Sequence, residues 1–138
     1  MDDLEAIRQL KARYFRTMDT KDWEAMRQVF TDDVVIDTGD SGGPTIDSAD
    51  AFMVFIQEAL AGAVTVHQGH MPEIEVTSDT TATGVWALND LIIWPNGVRL
   101  TGYGHYHETY TKTGVEWKIQ SSKLTRLHLD LIETAVAP

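Results

Sequence analysis

Apolar residues recur at three- and four-residue steps over the first part of the chain. Leu4, Ile7, Leu10, Tyr14, Phe15 and Met18 form one stripe with charges between them, which predicts an amphipathic helix. Asp2 and Asp3 stand where a helix N-terminus favours acid. A short second helix is expected next, capped by Thr20 or Asp22, with Trp23, Met26 and Phe30 as its apolar side. Thr31, Asp32 and Asp33 should end it, and the β-branched Val34, Val35 and Ile36 should start a short strand. Residues Thr38 to Thr45 hold three glycines and a proline and read as a loop. A third helix begins near Asp47 or Ser48, with Phe52, Phe55, Ile56, Ala59 and Leu60 as its stripe and Gly62 as its C-terminal stop.

Beyond Gly62 the period shortens to two. Strands are predicted over 64–77, 81–94, 98–112 and 115–130, broken at Ser78-Asp79, Pro95-Asn96-Gly97 and Thr113-Gly114. Helices followed by a run of long antiparallel strands define the α+β class. The expected architecture is one domain over 1–138, with N-terminal helices packed on a strongly curved, mostly antiparallel sheet. Long strands curl, and a curled sheet closed by helices makes a cone-shaped pocket.

Composition narrows the possible partners. The chain has 138 residues, 43% hydrophobic and 23% charged, which is ordinary globular composition. The net charge is −10, so nucleic acid and anionic membranes should be repelled. The longest weakly charged stretch, Ala51 to Val66, is interrupted by Glu58 and is too short to span a bilayer. There is no cysteine, which removes disulfides and thiolate metal sites and suits a reducing cytosol. The MDDLEAIRQL opening has acid where a signal peptide needs base. The expectation is a cytoplasmic protein.

Candidate chemistry lies in the histidines and one aspartate. Of five histidines, His67 and His70 form one pair and His105 and His107 another, all on predicted strands. Asp19 ends the first helix on the side of its apolar stripe. A carboxylate beside an imidazole fixes the tautomer and stabilises the imidazolium, which makes a general base near neutral pH. A lone Asp at a helix end is more often a cap or a solvated residue, and a lone strand His more often a structural or surface residue. His105 and His107 share one strand face; with His67 or His70 they have the ligand chemistry for a divalent metal, but no carboxylate–histidine helix spacing supports one. The alternate face carries Gly102, Gly104, Tyr106, Glu108 and Tyr110, and spacing leaves open which face lines the pocket. Tyr14 is a candidate proton donor, and Trp23, Trp86 and Trp117 read as core. The Gly39-Asp40-Ser41-Gly42-Gly43 run lacks the lysine of a phosphate loop.

The run Tyr14-Phe15-Arg16-Thr17-Met18-Asp19-Thr20-Lys21-Asp22-Trp23, then Phe30-Thr31-Asp32-Asp33-Val34, resembles the opening of SnoaL-like domains of the nuclear-transport-factor-2-like superfamily. Gly104-His105-Tyr106-His107-Glu108 and Gly114-Val115-Glu116-Trp117-Lys118-Ile119 resemble its last two strands. Within the superfamily the nearest chemical likeness is to scytalone dehydratase and hexachlorocyclohexane dehydrochlorinase. That resemblance implies a catalytic role for Asp19, at the head of Asp19-Thr20-Lys21-Asp22-Trp23, and for His67, at the start of the strand after the third helix. It also points to His105 and His107 through a Gly-His-x-His run, although counting back from Trp117 sets them a few residues from the dehydratase position. Met18 stands where the dehydratase has a tyrosine, so that role would pass to Tyr14 or Tyr103.

The implied function is a small-molecule lyase or isomerase needing no cofactor and no metal, acting on a hydrophobic substrate. The alternative is a non-catalytic ligand-binding or dimerising module of the same fold. A homo-oligomer is expected, dimer ahead of trimer, with Leu88–Trp94 and Leu127–Ile132 as surfaces for a second copy.

Overall fold

The computed structural model describes residues 1–133. Helix α1 (Asp3–Asp19) is capped by Asp2, whose carboxylate accepts the Glu5 N–H at 2.8 Å. Its stripe buries Ile7, Leu10, Tyr14 and Met18, and Lys11 with them. Helix α2 (Trp23–Arg27) is capped by Asp22. It stops before Phe30, which the sequence pattern gave to the helix. Strand β1 (Phe30–Asp37) starts at Phe30 and includes Thr31, Asp32 and Asp33. The reason is long-range: Phe30 pairs in parallel with Ile119, and the Ile119 N–H donates to the Val29 carbonyl. A local pattern cannot register that partner.

The glycine-rich loop holds a single 3-10 turn at Gly39–Ser41, and Thr45–Ile46 forms a two-residue strand β2 against β1. Helix α3 (Ala49–Ala59) is capped by Ser48, and Gly62 follows its end in a left-handed conformation, φ 69°. Four long strands complete the chain: β3 (Val64–Val76), β4 (Thr81–Ile93), β5 (Arg99–Thr113) and β6 (Glu116–Ile132). The sheet order is β2-β1-β6-β5-β4-β3, antiparallel except for β1 beside β6, and it is not closed. This is the α+β architecture, with the helices on one face of a curved sheet.

Bulges set which residues face the helices. Strand β6 carries one extra residue opposite Thr109/Tyr110 and another opposite Tyr103/Gly104. Its inward set therefore runs Trp117, Ile119, then Ser122, Leu124, Arg126, then Leu129. At the second bulge the backbones approach so closely that a Cβ on Gly104 would fall on the Thr125 carbonyl oxygen. Extra twist at such points bends the sheet around its inner face.

The core beneath that face joins Phe30, Phe52, Tyr14 and Tyr106 in edge-to-face contacts, and Leu88 and Ile92 lie in it. Leu127, Leu131 and Ile132 stay exposed, as do Val64 and Val66 on β3. No described helix is long and apolar enough to cross a membrane.

Candidate active site

The end of α1 meets the start of β3. The Asp19 carboxylate accepts three hydrogen bonds there: His67 backbone N–H at 2.7 Å, His67 Nδ1–H at 2.7 Å and the Thr65 hydroxyl at 2.9 Å. Asp19 is acceptor-only when ionised, so in the neutral imidazole of His67 Nδ1 carries the hydrogen and Nε2 the lone pair. Thr65 can give its one hydrogen to Asp19 because Lys21 Nζ donates to its oxygen at 2.7 Å. Lys21 reaches that point from a left-handed backbone, φ 61°, just after α1. Such a conformation costs a non-glycine residue about 1–2 kcal/mol. The Asp22 N–H closes the turn onto the Thr17 carbonyl at 2.8 Å.

His67 is buried and lines a cavity of about 210 Å³ between α1, α3 and the inner sheet face. Met18, Phe52, Phe55, Ile56, Leu60 and Ile92 supply apolar walls. The polar end carries Tyr14, Tyr106, His67, Asp90 and Arg126. Burial pushes the Tyr14 phenol above the ordinary tyrosine range, and the same cause raises that of Tyr106. Both hydroxyls are thus protonated donors at neutral pH.

Asp90 faces His67 from the other side, its Oδ2 3.9 Å from Nε2. Arg126 grips Asp90 with two parallel bonds, Nη1 to Oδ1 at 2.7 Å and Nη2 to Oδ2 at 3.0 Å. Arg126 Nε donates to Ser41 Oγ, and the Arg126 backbone N–H to Asp40, which ties the glycine-rich loop to the cavity rim.

A second buried cluster lies deeper in the core. Lys11 Nζ donates to Glu108 Oε2 at 2.8 Å, both side chains fully buried. Ser122 and Tyr110 hydroxyls also donate to Glu108, and Trp86 Nε1 donates to the Tyr110 oxygen. The ammonium sits 3.6 Å from the Tyr106 ring centroid and 3.8 Å from that of Tyr14. Burial draws the Lys11 ammonium below its usual lysine value, against the opposing pull of Glu108.

Of the candidate residues, Asp19, His67 and Tyr14 meet at this site. His105 and His107 do not. Gly102, Gly104, Tyr106, Glu108 and Tyr110 take the inner face of β5, so alternation turns both histidines outward, where His107 bonds Thr125 Oγ1. Tyr103 shares that outer face and is half exposed. Among the described residues no three His, Asp or Glu side chains converge as a metal set.

Sequence reasoning passed over Asp90, Arg126, Thr65 and Lys21, and left open whether the strand face carrying Tyr106 lines the pocket. Asp90 had a readable signal: Trp86, Leu88, Asp90 and Ile92 share one face of an apolar strand. An acid on the core face of a strand needs a partner, and here it has one.

The fold and this cavity define a SnoaL-like protein. The chain belongs to the SnoaL-like domain family, whose model matches residues 1–123. It is 24% identical to "Probable cyclase FGR4" of Gibberella zeae, over 91% of this chain and 92% of that protein. The crystal structure of a "Putative Scytalone Dehydratase" from Novosphingobium aromaticivorans superposes with a TM-score of 0.85 at 18% identity, covering 98% of this chain and 91% of the other. The hexachlorocyclohexane dehydrochlorinase LinA-type3 of Novosphingobium barchaimii gives 0.79 at 14% identity, covering 97% and 94%.

Proposed function

We propose that this chain is a lyase or isomerase that removes a proton from a hydrophobic, cyclic small molecule, with His67 as general base and Asp19 as its anchor. One observation supports this most: His67 Nδ1 lies 2.7 Å from Asp19 Oδ1 while the imidazole lines a mostly apolar cavity. Asp19 stabilises the imidazolium that forms when Nε2 takes a proton next to a carbonyl or leaving group. Tyr14, or Tyr106 beside it, donates to the oxygen on which charge develops. These steps need side chains alone. Relatives named cyclase, dehydratase and dehydrochlorinase are consistent with such proton removal.

The test is proton NMR in D2O with a panel of cyclic ketones and β-hydroxy ketones. Exchange at the α-carbon or elimination is expected, slowed about 10²–10⁴-fold in His67→Gln. If panel members bind and none reacts above background, the chain is a ligand-binding module.

We place the protein in the cytosol, on its lack of cysteine and its acidity. We also expect a homodimer through the outward sheet face, where Val64, Val66 and Tyr103 are exposed. A monomer by light scattering at micromolar concentration would remove that expectation.

A further inference from the structure

Asp90 has no assigned part in the proton removal described above, yet it is buried at the cavity and firmly held. Its side chain is 3% exposed, and both oxygens are fixed by the Arg126 fork. Strand β5 leaves room for that fork. Gly102 lies beside Asp90 in the ladder, and a Cβ there would run into the Arg126 guanidinium and into Asp90 Oδ1 at 2.8 Å. The arrangement therefore depends on glycine at 102.

What the fork presents to the cavity is an acceptor. The Asp90 Oδ2 and the His67 Nε2 lone pair face each other across 3.9 Å, too far for a bond between them. Two acceptors in a mostly apolar cavity call for a ligand that brings a hydrogen to give. Charge adds a second condition. Among the described residues Arg126 is the one lysine or arginine lining the cavity, and Asp90 occupies its fork. Lys11 is occupied by Glu108. An anionic ligand in the cavity would meet the Asp90 carboxylate, with the Arg126 fork already taken. Size supplies a third: the cavity of about 210 Å³ exceeds the roughly 150 Å³ that admits benzene, so one or two rings fit.

We propose that Asp90, fixed by Arg126, is the specificity-determining residue of this cavity: it accepts a hydroxyl hydrogen from a neutral ring compound and excludes carboxylates of the same shape. The proposal rests on the same cavity as the functional reading. Its test is equilibrium binding, so a failure of proton transfer leaves it standing, and its own failure leaves the His67 base untouched.

Isothermal titration with three probes of one ring system decides it: 2-naphthol, 2-methoxynaphthalene and 2-naphthoate. Wild-type protein should bind 2-naphthol roughly ten- to a hundred-fold more tightly than the methyl ether, the range for a hydrogen bond to a charged group. It should bind 2-naphthoate most weakly of the three. Asp90→Asn frees the Arg126 fork, so the naphthol preference should fall and 2-naphthoate should become the tightest ligand. The wild-type ranking stands as a test even if that variant does not fold. Equal affinities for naphthol and ether, tight wild-type binding of naphthoate, or no binding of any probe at millimolar concentration would each overturn the proposal.

Discussion

The two buried charge clusters of this protein use the same ingredients to opposite effect. Around Glu108, each contact is a close hydrogen bond: Lys11, Ser122 and Tyr110 donate to it, and aromatic rings roof the ammonium. Around His67 the chain of contacts from Lys21 through Thr65 and Asp19 is as tight, and so is the Arg126–Asp90 fork beyond, but 3.9 Å separates the two halves. A cluster with every valence filled can only hold shape. One whose members are fixed but whose central nitrogen is left without a partner can take a proton from something else. The difference between support and reactivity here is one missing contact, not a different kind of residue.

Breaking the closed cluster should have the largest effect on folding. Lys11→Met leaves Glu108 a buried anion without its cation, and the expected loss is about 3–5 kcal/mol in urea unfolding. Little or no loss would mean that the Lys11–Glu108 pair adds no net stability. Opening the other cluster should act on rate instead. Asp19→Asn removes the acceptor that fixes His67, and turnover of any substrate found should drop about 10²–10⁴-fold. A variant that keeps full turnover would show that His67 needs no anchor.

A smaller change probes how tightly the closed cluster is satisfied. Tyr110→Phe deprives both Trp86 Nε1 and Glu108 of a partner, worth about 1–3 kcal/mol. The outward histidines should matter least. The double variant His105→Ala/His107→Ala should keep its stability within about ±0.5 kcal/mol and its turnover unchanged. A large loss of turnover would place a histidine of the outer face in the chemistry.

An exposed contact supplies the lower bound of the scale. Asp3 is held below the usual carboxylate range, first by the Trp117 Nε1–H bond and then by Lys112. Its folded-state value lies below its unfolded one. Its contribution is therefore present above the unfolded value of about 3.9 and is lost as pH falls through the folded value. Urea midpoints at pH 5 and pH 3 should differ less in Asp3→Asn than in the parent.

Much of this was legible in the chain before any coordinates. Helical stripes, strand breaks and caps are local, and α1, α3 and the four long strands lie where period and turn residues put them. Phe30 was assigned to the wrong element because its pairing partner, Ile119, lies 89 residues away (119 − 30). At the site, Asp19 and His67 were singled out through family resemblance more than through spacing. Asp90 was missed, although an acid among Trp86, Leu88 and Ile92 on one strand face is a local signal. Arg126 was hidden, because counting in twos along β6 fails at each bulge and puts it on the wrong face. For β5 the two faces were equally rich in plausible residues, and only its neighbours decide between them.

The bulges in β6 have an evolutionary side. Each inserts a residue that pairs with nothing, while the inward set on either side keeps its partners on β5. Removing Leu127 would therefore leave Arg126 opposite Gly104 and Leu129 opposite Gly102, but with the strand straighter between them. A one-residue length change at that point alters the bore of the cavity without replacing any side chain that lines it. Descent within such a family can thus retune what fits by indels in a strand as well as by substitutions in the wall.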